Sequence, residues 1–421
     1  MCLYPQIPFR SRISASAAAW TDSTSFRAKN CKATAKTNGV DYYPSPPIVE
    51  GSTGSVQQQL GIFPGARKEP LNVILNDTPR SDIALPPELV PTLPPLDGSY
   101  YSITQFYYME ETQTGVLALG SFRTNSPPYF QYNLLAGLHN LKKAGTERLI
   151  IDVTNNGGGS LCVPYWLHRM IAGAKRTTED KTSLYTKVRA QPLVRAITAA
   201  IADGADPDRE LMYNPTNQAF ANNTSFPRNY DWLKDPVRKV INGREDFFSQ
   251  KLGQECRPLP YFPPAEAIFD PKKVAIVGNG RCASSCSLFS VSSFFSWSGK
   301  CCFNKLAQIA MNKLEGTKTV VFGGRNSVKQ QYCGAVGGQS TNFATINSEI
   351  KSTKLKGHPL SPPDFLTNSV VGITWRLAFG IWKPEEPEEW QDHPADVHLP
   401  LTKENVNNPI AIWNDVIRAV F

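Results

Sequence analysis

Between Asn279 and Ser290 the chain reads "NGRCASSCSLFS", which puts five potential nucleophiles, Cys282, Ser284, Ser285, Cys286 and Ser287, within six positions. A hydroxyl or thiol does covalent chemistry when a base takes its proton or its surroundings stabilise the anion. The apolar run "KKVAIVGN" before the stretch predicts a strand, and "SSCSLFS" predicts the start of a helix. A serine at that position gains from the positive end of the helix dipole, and the N–H of the next residue can meet a developing oxyanion. Small polar residues also cap helices, so residue type and spacing alone leave capping open beside catalysis.

A second junction, "IIDVTNNGGGS", runs from Ile150 to Ser160, between a buried-type strand "RLIIDV" and the helical pattern "LCVPYWLHRMIAG". Consecutive glycines allow positive φ and close backbone approach, and they leave N–H groups to hold a negative oxygen. Neither G-x-G-x-x-G nor G-x-x-x-x-G-K-[ST] occurs, so no nucleotide cofactor is expected. Nine cysteines, at positions 2, 31, 162, 256, 282, 286, 301, 302 and 333, include no C-x-x-C pair, so no metal site is expected either. Their odd number leaves at least one thiol free or paired between chains.

The elements that must position these junctions follow an α/β pattern. "TGVLALGSF" predicts a strand, "YFQYNLLAGLHNLKKAG" a helix ended by glycine, and "RLIIDV" the next strand. The pattern resumes with "KKVAIVGN" and "TKTVVFGG", and "NPIAIWNDVIRAVF" closes as a helix. Strand–helix–strand succession implies parallel strands, and sites in such sheets lie beyond the strands' carboxyl ends. Residues 1–112 are irregular and Pro-rich and read as a linker or the remnant of a small module; residues 113–421 form the main domain. Residues 174–265 read as an insertion of helices and loops.

The 421 residues carry a net charge of +8 without a dense basic block, so no nucleic-acid partner is expected. No apolar run approaches the roughly 18 residues of a membrane helix. Sequons at Asn76 and at Asn222/Asn223 lean towards an extracellular protein, although no signal peptide is read at the N-terminus.

Together the two junctions resemble the tail-specific proteases, the S41 serine peptidases, and within them the fungal branch with a chlamydial-protease-like (CPAF-like) domain. "DVTNNGGG" (Asp152–Gly159) stands for the family's Gly motif, with Thr154 in place of its usual arginine, and "RCASSCSLFS" for its nucleophile motif. The resemblance covers Thr114 to the C-terminus and implies a ClpP/crotonase-like α/β core cleaving peptide or protein substrates. It implies Ser285 as nucleophile, the N–H groups of Gly158 and Cys286 as oxyanion hole, and Glu388, with Glu389 beside it, as the carboxylate that orients a histidine. The family's histidine lies upstream of the first catalytic strand, whereas the histidines here are 139, 168, 358, 393 and 398. The expectation is an N-terminally truncated relative, weak or inactive as given, with Lys329 the alternative base. A silent peptide-binding protein or an acyl-CoA-handling crotonase relative are the competing readings.

The segment Val291–Gln308 lacks helical order, and deleting it joins "SCSLFS" to "IAMNKLEG" as one amphipathic helix. It is expected to be a retained intron or gene-model error, which a transcript spanning the join would reveal.

Overall fold

The computed structural model describes residues 21–22, 25, 91–96, 103–122, 127–160, 162–174, 186–205, 212–253, 265–290, 311–336, 339–362, 372–379 and 385–421. The chain begins its sheet with β1 (Thr104–Met109) and β2 (Thr114–Leu119), followed by α1 (Pro127–Lys143), β3 (Arg148–Asp152) and α2 (Cys162–Ala172). Next come β4 (Thr186–Val188), α3 (Pro192–Ala202) and the hairpin β5 (Val237–Ile241) and β6 (Arg244–Phe248). β7 (Val274–Gly278), β8 (Cys282–Ser284), α4 (Ser285–Ser290), α5 (Met311–Glu315), β9 (Lys318–Phe322) and β10 (Cys333–Val336) follow. The chain ends with β11 (Gln339–Asn342), α6 (Phe343–Ser352), β12 (Gly372–Ala378), β13 (Val397–Leu399) and α7 (Pro409–Val420).

The central sheet has the order β1-β2-β3-β7-β9-β13, and only the edge pair β1–β2 is antiparallel. The protein is thus α/β with a parallel-rich sheet, as the sequence pattern implied. Both faces are covered, which is why its strands read as unbroken apolar runs. Alternate residues separate two cores. Phe106, Leu117, Leu149, Ile151 and Ile276 pack with Phe130, Leu134 and Leu138 of α1 and Trp166 of α2. Tyr107, Val116, Ile150, Val277 and Val320 pack on the other face with Ile412, Trp413 and Val416 of α7.

The α1 contact is tight enough to test. A Cβ added at Gly137 would lie 2.1–2.4 Å from the buried ring of Phe106. Alanine improves helix propensity by about 1 kcal/mol over glycine, but overpacking a rigid buried ring costs about 1–3 kcal/mol. Gly137→Ala is therefore expected to lower the thermal midpoint, and an unchanged or higher midpoint would show that the ring gives way freely.

Two expectations need correction. β1 lies before the boundary at residue 112, so the central sheet starts inside the region taken as irregular; the aromatic run "TQFYYM" was masked by the prolines preceding it. Residues 174–265 hold strands as well as helix: β4 pairs antiparallel with β12, which pairs with β11, in a second small sheet beside the β5–β6 hairpin. Asn222 lies exposed in a turn, its Oδ1 accepting from Thr224 N–H at 3.0 Å. Asn76, Val291–Gln308 and nearly all of residues 1–90 lie outside the described residues. Among the described residues no helix is long and apolar enough to cross a membrane.

Candidate active site

Parallel strands β2, β3 and β7 end side by side, and the chain leaving each contributes to one locus. β3 runs directly into the Gly loop. Asp152 closes the strand, with Oδ1 accepting from Thr154 N–H at 2.9 Å and Thr154 Oγ1 at 2.5 Å, and Oδ2 accepting from Trp413 Nε1 at 2.8 Å. Thr154, standing where the family pattern has arginine, is thus a local partner of the strand-end carboxylate. Burial pushes the Asp152 carboxyl up to about 6 despite these donors.

Asn155 takes φ +60, a conformation that asparagine tolerates. Its Oδ1 accepts from Asn279 Nδ2 at 2.8 Å, and Asn279 Oδ1 accepts from Asn155 N–H at 3.3 Å. Asn279 opens the nucleophile stretch, so this amide pair clasps the two junctions together. Asn156 adds a second tie: its Nδ2 donates to Leu119 O at 2.9 Å, its Oδ1 accepts from Gly158 N–H at 2.8 Å, and its carbonyl accepts from Ala283 N–H at 3.1 Å. Sequence reasoning assigned no role to any of these three asparagines. The "NN" before a glycine run was the available signal, since asparagine both enters the left-handed region and bonds neighbouring backbone.

Gly158 is where the junctions touch. It has φ +95, and a Cβ there would meet Ala283 O at 2.7 Å, Ser284 Cβ at 2.9 Å and Ser285 N at 3.0 Å. Its N–H donates to Asn156 Oδ1 in this structure. Gly158 also has no side chain, which lets the loop lie against Ser284 and Ser285.

The opening stretch now resolves residue by residue. Cys282 and Cys286 form a disulfide with Cα atoms 5.3 Å apart, so neither is a thiol. Ser287 Oγ donates to Cys282 O at 3.0 Å. Ser284 turns the chain from β8 into α4 with φ +52. Ser285 is fully buried, and its Oγ has no hydrogen-bond partner among the described residues. β8 pairs in parallel with β10, Ser284 lying opposite Val336.

Glu388 is fully buried in a short 3-10 turn, Glu388–Trp390. His393 is buried beside it, its Nε2 donating to Glu388 O at 2.8 Å and lying 3.5 Å from Glu388 Oε2. This segment is tied to the residues leading into β10, with Tyr332 N–H donating to His393 O at 2.7 Å and Ala395 N–H to Gln330 O at 3.1 Å. β10 therefore anchors both Ser285's strand and the Glu388–His393 pair, although His393 makes no hydrogen bond to Ser285 Oγ. Glu389 Oε1 accepts from Ala378 N–H at 3.0 Å, and burial, with the neighbouring Glu388, pushes its carboxyl up to about 8.

The remaining candidates lie elsewhere. Lys329 is exposed between β9 and β10, without the burial that a lysine base requires. His139 is exposed on α1, His168 is buried on α2 with Nε2 3.1 Å from Glu315 Oε1, and His398 Nε2 donates to Gly323 O at 2.6 Å. His358 Nδ1 accepts from Leu360 N–H at 3.1 Å.

No family model matches the chain. The chain is similar to the peptidase S41 family protein phomP1' of Diaporthe leptostromiformis, 22% identical over 429 residues, which cover 86% of this chain and 59% of that protein. It is similar to the peptidase S41 family protein ustP of Aspergillus flavus, 24% identical over 366 residues, covering 75% of this chain and 71% of that protein. The chain thus spans less than two thirds of the length of phomP1'. Among solved structures, mature CPAF complexed with lactacystin matches with a TM-score of 0.35 and 14% identity, covering 78% of this chain and 53% of that one.

Proposed function

We propose that the chain is a member of the peptidase S41 family, whose curated relatives it resembles, and a serine-type endopeptidase acting through Ser285 on a ClpP/crotonase-like core. The observation that carries this reading is the close approach of Gly158 to Ser285, whose N would lie 3.0 Å from a Cβ added at Gly158, so that a glycine loop and a helix-start serine stand together beyond parallel strand ends. Ser285 Oγ attacks the peptide carbonyl. Cys286 N–H receives the oxyanion. Gly158 N–H joins it by exchanging Asn156 Oδ1, a neutral acceptor, for a charged one that binds more strongly. Glu388 orients a histidine; no base is assigned within this chain, since His393 bonds the Glu388 carbonyl rather than Ser285. Secretion fits the Cys282–Cys286 disulfide, the disulfide-bonded Cys162 and the exposed sequon at Asn222.

A second reading, a peptide-binding protein without turnover, draws on one observation: the Ser285 hydroxyl is buried and bonded to no base. Fluorophosphonate labelling separates the two. The peptidase reading expects one labelled serine and complete loss of label in Ser285→Ala. Peptide binding with no label in the intact chain would sink it in favour of the silent binder.

A further inference from the structure

We propose that the Cys282–Cys286 disulfide holds Ser285 in its reactive position, which makes both cysteines positioning residues for peptide hydrolysis. The inference deepens the reading of Ser285 as nucleophile and rests on it. β8 ends at Ser284 and α4 begins at Ser285, so no connecting residue absorbs the change from extended to helical backbone. Ser284 makes the whole change by standing at φ +52, a conformation disfavoured for residues with a Cβ by about 1–2 kcal/mol. Serine is not glycine there, so the surroundings must impose the turn.

Three ties close around it. The disulfide bridges the two flanks of the turn, with its Cα atoms 5.3 Å apart. Ser287 Oγ donates across the same span to Cys282 O, and Ala283 N–H is held by Asn156 O. Of these, only the disulfide is covalent. With the bridge open, only hydrogen bonds oppose relaxation of Ser284 towards the extended region. That rotation carries the Ser285 hydroxyl and the Cys286 N–H away from Gly158 together, so nucleophile and oxyanion donor are lost as one unit. The bridge also consumes two thiols that would otherwise stand within three residues of the serine as competing nucleophiles. Opening it takes two electrons and two protons, supplied by a dithiol that becomes a cyclic disulfide while Cys282 and Cys286 become thiols.

The test compares the full chain with the Cys282→Ala/Cys286→Ala double variant, which leaves Cys162 paired, and with the wild type before and after dithiol treatment. The readout is the rate of fluorophosphonate labelling at Ser285, separated into a bond-forming rate and an affinity. The expected result is a fall of at least about tenfold in the bond-forming rate, with affinity within about threefold, since small misplacements of a reacting group cost rate first. Removing the dithiol in air restores the wild type and leaves the variant unchanged. Amide exchange over residues 283–287 is expected to quicken in the variant while β3 and β7 stay protected. An unchanged labelling rate in a folded double variant overturns the inference and leaves the peptidase reading intact. An intact chain that never labels overturns the peptidase reading instead. In that case the exchange measurement decides: local loss of protection supports the strap, and none overturns it.

Discussion

Alanine at position 158 is expected to cut Ser285 labelling by on the order of a hundredfold and to destabilise the fold, whereas alanine at position 157 leaves both nearly unchanged. The two glycines are neighbours in one loop, yet their surroundings differ. A Cβ at Gly157 would meet nothing within 4 Å, while one at Gly158 would lie 2.7 Å from Ala283 O and 3.0 Å from Ser285 N. Both of those atoms are backbone, so no rotamer change relieves the clash. The φ of +95 at Gly158 adds strain for any residue with a side chain. The loop and β8 must therefore separate, which moves Ser285 away from Gly158. Thermal melting and labelling rates of the two variants check this. Equal damage from both substitutions, or none from Gly158→Ala, would mean that the loop does not seat against the nucleophile.

The second large effect concerns pH. Burial raises three carboxyls: Asp152 to about 6, Glu349 to about 7 and Glu389 to about 8. In each case the folded state keeps a proton that the unfolded chain releases near pH 4. Between those values the unfolded state binds fewer protons, so stability is highest at the acid end and falls as pH rises through the folded values. For Asp152 the difference between 3.8 and about 6 corresponds to about 3 kcal/mol. Lys187 acts in the opposite sense above that window. Burial lowers its ammonium to about 8, so the folded state loses a proton first and stability recovers as pH rises further. The thermal midpoint is expected to peak between pH 4 and 5 and to fall by roughly 10 °C towards pH 8. Glu389→Gln keeps an oxygen for Ala378 N–H and should remove its share of the fall, raising the midpoint at pH 8 but not at pH 4.5. A midpoint that climbs from pH 5 to 8 would contradict the account.

The strands carrying the site were legible because burial on both faces writes them as apolar runs, and the junctions because glycine and serine clusters interrupt those runs. Ser285 stood out only by resemblance, since five nucleophiles in six positions carry no internal ranking. The structure narrows the five by pairing Cys282 with Cys286 and engaging Ser287. The Asn155–Asn279 clasp joins residues 124 apart, and β4 finds its partner in β12 about 190 residues later, so no local pattern announces either. The seat of Gly158 is likewise a property of the partner backbone, which a glycine run does not encode.

The same separation has a temporal meaning. Neighbouring strands β3 and β7 are distant in the chain, and contacts of that kind form slowly because a long loop must close before they contribute. While the chain is being made, the Gly loop exists for 124 residues before Asn279 can reach it. A growing chain therefore carries the Gly loop before it carries the serine that the loop will meet. The two junctions come together only when long-range folding is done.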